Sequence, residues 1–270
     1  MSSQNPYQPP QAVIEERNAY ESIGNLNLTG NTVSAGDGVS WIGEGWALFK
    51  AAPGIWIANL IIFFIVMAVA GIIPFLNFLI QPIVSAVLIA GFMVGCRAID
   101  DGESLSVNHL FAGLQTHASQ LIVIGVIQIV LSIVMMAVMG VLAMIFIGGS
   151  LFTGGLSALS GNNPAGMFAL MSGLSFSFLI LIFVSFIIGF MVYSCILFAP
   201  VLVVLHDVAP MDAIKASFAG VWKNILPFIV FGIISGIMLI VSMLPFGLGL
   251  LISIPVLIGS LYACYKQIYL

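Results

Sequence analysis

Residues 121–146 read LIVIGVIQIVLSIVMMAVMGVLAMIF, twenty-six positions without an ionisable side chain and with only Gln128 and Ser132 to form side-chain hydrogen bonds. One membrane-spanning helix needs roughly 20 such residues. The stretch lies inside a longer gap, because Asp, Glu, Lys and Arg are absent from all of 104–206. They are absent again from 51–96 and from 224–265. Gaps of 103, 46 and 42 residues each hold two spans and a turn. The expected fold is therefore all-α, a polytopic transmembrane helical bundle with spans at 55–73, 78–97, 121–147, 175–204, 225–244 and 248–266.

Composition agrees. Of 270 residues 61% are hydrophobic and 6% charged, where a soluble domain carries roughly 25% charged residues. Such a surface is tolerable only in lipid. The turns are expected where Pro and Gly cluster: Gly71 to Asn77, the Gly/Ser-rich stretch from Gly148 to Gly173, and Pro245 to Gly249. Residues 1–40 are polar, rich in Gln, Asn, Pro, Ser and Gly, and are expected to form a disordered cytoplasmic tail before a membrane domain over 41–270. No cleavable leader is expected, since the first long apolar run starts near Ile55.

With these spans every Lys and Arg falls on one side. Basic residues are retained in the cytoplasm, so both termini are expected there. The chain also rhymes with itself. Phe111-Ala-Gly113 matches Phe218-Ala-Gly220, and the same offset carries Gly125 onto Gly232. Phe49-Lys50 aligns with Trp222-Lys223, and Pro82 with Pro255. Three spans carry Gly91-Phe-Met-Val-Gly-Cys96, Gly189-Phe-Met-Val-Tyr-Ser-Cys195 and Gly259-Ser-Leu-Tyr-Ala-Cys264. The expectation is three repeats, each an interfacial amphipathic helix followed by a helical hairpin. Val107, Leu110, Phe111, Leu114 and Ala118 would line one face of one such helix, and Met211, Ile214, Phe218, Val221 and Trp222 one face of another. Trp41, Trp46, Trp222, Tyr262, Tyr265 and Tyr269 would form an aromatic belt.

Chemistry is sparse. Serines 85, 132, 185, 235, 242 and 253 lie in spans, but His109, His117 and His206 do not, so an intramembrane hydrolase is not expected. Asp100, Asp101, Glu103 and His109 could gather a divalent ion, yet read more simply as a turn with Arg97 paired locally. Three cysteines without a CxxC pair give neither a disulfide framework nor a zinc site, and no cofactor is expected. No basic stripe suits nucleic acid. Asn59, Gln81 and Gln128 could line a path for a neutral solute, with Pro82 or Pro255 opening a helix.

Three stretches carry a resemblance. Gly45-Trp46-Ala-Leu-Phe49-Lys50-Ala-Ala-Pro53-Gly54-Ile-Trp56, and Ala90-Gly91-Phe-Met-Val-Gly-Cys96-Arg97-Ala-Ile-Asp100-Asp-Gly102-Glu103 with His109-Leu-Phe-Ala-Gly113, resemble a group of uncharacterised proteobacterial inner-membrane proteins. Ala199-Pro200 to Asn224 is distantly similar to the membrane domain of glycerophosphoryl diester phosphodiesterases. The resemblance implies a bacterial cytoplasmic-membrane protein of six helices. It carries no catalytic residue, because the phosphodiesterase chemistry belongs to a separate soluble domain. The expected function is non-enzymatic association with membrane lipids or with other membrane or cytosolic proteins, through Trp46, Lys50, Arg97, Lys215, Trp222 and Lys223. The alternative is a transporter or channel for a small neutral or lipophilic solute.

Overall fold

The computed structural model describes residues 26–72, 76–159 and 164–270. Residues 1–25 of the expected tail, Pro74 of the first turn and Asn162-Asn163 of the second lie outside the described residues. Six helices are long and apolar enough to cross a membrane. The protein is an all-α polytopic membrane bundle.

A short helix at the charged end precedes each hairpin. Helix α1 (Asp37–Ala51) opens with Asp37 and closes with Lys50, each at the end of the helix dipole that favours it. Its face of Gly38, Trp41, Gly45 and Phe49 is buried. Then α2 (Pro53–Gly71) and α3 (Asn77–Asp100) form the first hairpin. A 3-10 turn over Val107–Phe111 and the five-residue α4 (Ala112–Thr116) lead into α5 (Ala118–Leu159) and α6 (Pro164–Ile196). The short α7 (Ala199–His206) extends α6, and α8 (Pro210–Lys223) starts the last unit, α9 (Ile225–Met243) and α10 (Leu250–Tyr269).

The middle hairpin departs from the expected spans at both ends. The described part of the Gly/Ser stretch after Gly148 is helical: α5 continues to Leu159 and α6 starts at Pro164. Small residues break helices mainly where water competes for the backbone; in lipid they let two helices approach. Here they make the seam. A Cβ on Gly154 would stand 2.6 Å from the Leu170 Cα. The Ser150 and Ser177 hydroxyls bond at 2.7 Å, and Ser177 also donates to the Phe146 carbonyl at 3.0 Å. Near the charged end the continuous span expected over 175–204 is broken at Leu197-Phe198, because Pro200 has no N–H for the turn before it.

The interfacial segment before the second hairpin also differs. Because it is a 3-10 turn rather than one α-helix, Leu110 is buried but Leu114 is 51% exposed. In α8 the buried face is Ala213, Ile214, Ala216, Ser217, Gly220 and Val221, while Met211 and Trp222 turn outward.

Packing concentrates at the charged end. Trp41, Trp56, Tyr265, Tyr269, Phe198 and Leu202 are fully buried there. Helix α10 buries 56% of its apolar stretch inside the protein, whereas the α6–α7 span buries 11%. Residues 26–40, expected to be tail, are bound structure. Asn27 and Asn31 donate backbone N–H groups to Tyr269 and Ile268 at 2.9 and 2.7 Å. The Asn224 amide accepts from Val33 N–H at 2.8 Å and donates to the carbonyls of Asn31 and Gly220. Polar composition had suggested solvation; these asparagines instead satisfy the backbone of a strap that crosses the helix ends.

Candidate functional site

Several charged residues form pairs around the helix ends. Lys266 donates to Asp100 at 2.6 Å, and the Tyr262 hydroxyl donates to the same carboxylate at 3.3 Å. Arg97 lies 3.5 Å from Asp101, and Lys215 3.3 Å from Asp212. His117 Nε2 meets Asp207 at 2.5 Å, joining the start of α5 to the α7–α8 turn. Asp207 holds that turn in the left-handed region, φ 55. Asp37 accepts from Ser34 N–H at 2.6 Å, and hydrogen bonding from the Gln267 amide and then Ser34 holds its carboxyl below the usual range.

Among the described residues no three His, Cys, Asp or Glu gather as metal ligands. Asp100 is bonded to Lys266, Asp101 pairs with Arg97, and His109 Nδ1 accepts from Ser106 N–H in a capping box.

The six sequence-selected residues divide. Lys223 donates to the Gly30 carbonyl at 2.7 Å and secures the strap. Arg97 and Lys215 carry their carboxylate partners into any encounter. Lys50 is exposed with no partner among the described residues. Trp46 is 44% exposed and packs on Phe49 with ring centroids 5.6 Å apart. Trp222 is 37% exposed and donates its indole N–H to Ser194 Oγ at 3.2 Å. No hydrogen bond or ring contact links one of the six to another. The aromatic belt fits Trp46 and Trp222 alone: Trp41, Tyr262, Tyr265 and Tyr269 are buried. Trp41 donates to Gln267 at 2.5 Å and packs on Phe228 and Phe231, so α1 lies on the bundle rather than beside it.

A feature that sequence reading missed is an apolar groove of about 650 Å³ between α6 and α9. Phe186, Phe190, Ile229, Gly232 and Ile233 line it, and Trp222 closes its charged end. The signal lay in the outward face of α8 and in Gly232, whose Cβ position meets nothing within 4 Å. The three amides proposed for a solute path do not share one site: Asn59 is buried on α2, Gln81 donates to the Met67 carbonyl at 3.4 Å, and Gln128 lines a separate cavity.

Comparison with protein-family models, with curated proteins and with solved structures finds no match to this chain.

Proposed function

We propose that this protein is a non-enzymatic lipid-associating protein of a bacterial cytoplasmic membrane, with both termini and the charged end in the cytoplasm. The observation that carries the reading is the α6–α9 groove closed by Trp222. Its walls are almost wholly apolar, and Trp222 closes it at the charged end of the bundle. An acyl chain fits the groove. Its headgroup then lies level with the Trp222 indole, whose ring prefers that depth, with Lys223 the next residue in the chain. Trp46 and Lys50, exposed on α1, offer further contacts to headgroups or partner proteins.

The test is the phospholipid that copurifies with the protein in mild detergent. Gly232→Phe fills the groove from a position with open space around it. It is expected to remove more than half of the bound lipid while the protein stays monodisperse. Neutralising Lys50, Arg97, Lys215 and Lys223 together is expected to lower retention of anionic lipid selectively. Unchanged lipid in both variants refutes the proposal.

A further inference from the structure

The second helices of the three hairpins share a short motif, and its glycines meet different surroundings. In α3 a Cβ on Gly91 would strike the carbonyl of Leu110. In α10 a Cβ on Gly259 would lie 3.0 Å from the Cα of Gly45. Each glycine thus seats a short helix or turn packed directly across it. In α6 the matching Gly189 has nothing within 4 Å of its Cβ position. It opens instead on a cavity of about 250 Å³ whose walls include Ser85, Gln128, Met135, Tyr193, Leu197 and Pro200.

The sequence explains the difference. Tyr193 stands where α3 has Gly95 and α10 has Ala263, so a large ring replaces a contact surface. The seam with α8 falls one residue further on, at Phe190 and Ser194, both touching Trp222. The Ser217 hydroxyl donates to the Ser194 carbonyl at 2.7 Å and accepts from Phe198 N–H at 3.0 Å, standing in for one helical bond. Pro200 then leaves the Ile196 carbonyl without its helical donor, and Ile196 also lines the cavity. Interrupted spans that border a cavity are where membrane proteins place small-molecule sites.

The lining defines the ligand. No charged residue borders the cavity. Neither the Gln128 amide nor the Tyr193 hydroxyl has a hydrogen-bond partner among the described residues, while Ser85 donates to the Pro82 carbonyl at 3.0 Å. Gln128 lies ten residues beyond Ala118, about 15 Å along the helix and near the bilayer middle. Hydrocarbon offers these groups no partner at that depth. We propose that the cavity binds a neutral, lipid-soluble molecule with an apolar body and one carbonyl or hydroxyl end, which Gln128 and Tyr193 hold. The volume is just below that of drug-sized ligand pockets, which run from roughly 300 Å³ upward, and so suits a small molecule. A charged headgroup finds no counter-charge there. The site is independent of the α6–α9 groove, which uses another face of α6.

The probe is decanol carrying a diazirine, added to the full chain in nanodiscs and read by peptide mass spectrometry. The expected result is saturable labelling of the α5 and α6 peptides that contain Gln128 and Tyr193, displaced by unlabelled decanol. Gly189→Phe fills the cavity and is expected to abolish this labelling, whereas Gly232→Phe leaves it unchanged. Gln128→Leu, a milder change should Gly189→Phe not fold, is expected to reduce it about tenfold through loss of one hydrogen bond. Labelling that survives both cavity variants overturns the proposal. So does labelling of the same peptides by a diazirine on a phospholipid tail that decanol does not displace, which makes the occupant an acyl chain only.

Discussion

Helices α9 and α10, 19 and 20 residues long, match the bilayer at about 1.5 Å per residue; α5 and α6, 42 and 33 residues long, exceed its roughly 30 Å core. The first and last units close their hairpins against a short helix or turn, and their motif glycines, Gly91 and Gly259, vanish into backbone contacts. The middle unit leaves Met144, Phe152, Phe168 and Phe186 between 70 and 79% exposed, with Gly189 open. The same small-residue vocabulary thus serves two ends. Where it brings a short helix onto a span it builds the scaffold, and where that contact is replaced by a tyrosine and a helix break it leaves room for a ligand.

The sharpest way to break this comparison is to place the same side chain on both kinds of glycine. A Cβ on Gly45 would collide with the Val256 carbonyl and the Ser260 backbone. Gly45→Val is expected to cost about 3 kcal/mol and to abolish the monodisperse peak in size-exclusion chromatography. Gly189→Val is expected to elute like the parent protein. Equal damage from the two would erase the distinction between scaffold and middle unit.

Next in size is the strap. Asn224 is 1% exposed and bonded to three backbone groups. Asn224→Leu strands those groups and is expected to cost about 2 kcal/mol, lowering the melting temperature in detergent and exposing residues 26–36 to protease. The middle hairpin should respond less. Ser177→Ala removes the bonds to Ser150 and Phe146, and is expected to cost about 0.6 kcal/mol, the usual worth of an interhelical hydrogen bond in a membrane. The smallest effect concerns Asp37. Its folded carboxyl titrates below the ordinary value of about 3.9. Its contribution is present above that value and lost as pH falls through the depressed folded one. Asp37→Asn is expected to flatten the loss of thermal stability below about pH 4.

The charge-free gaps made the six spans legible, because burying one ionised group in hydrocarbon is costly enough to decide topology from residue types alone. Hairpin lengths were less legible. Ser150, Gly154 and Gly173 read as breakers in water and act as a seam between helices in lipid, a difference of solvent that letters do not carry. Trp41 and Tyr265 read as a belt because aromatic residues near a span end fit one equally well; Phe228 and Gln267, far away in sequence, bury Trp41. Of the candidate site, Trp222 was readable as a boundary residue. The groove beside it and the opening at Gly189 were not, because both arise from residues that fail to touch.

The central claim is that α3 and α10 form a packed scaffold while α5, α6 and α9 face lipid. Cross-linking from a diazirine near the middle of a phospholipid tail, mapped by peptide in nanodiscs, tests it most directly. The account predicts dense adducts on the exposed faces of α5, α6 and α9, Phe186, Ile182 and Ile229 among them, and sparse ones on α10 between Val256 and Ile268. Adducts spread evenly over α6 and α10 would contradict it.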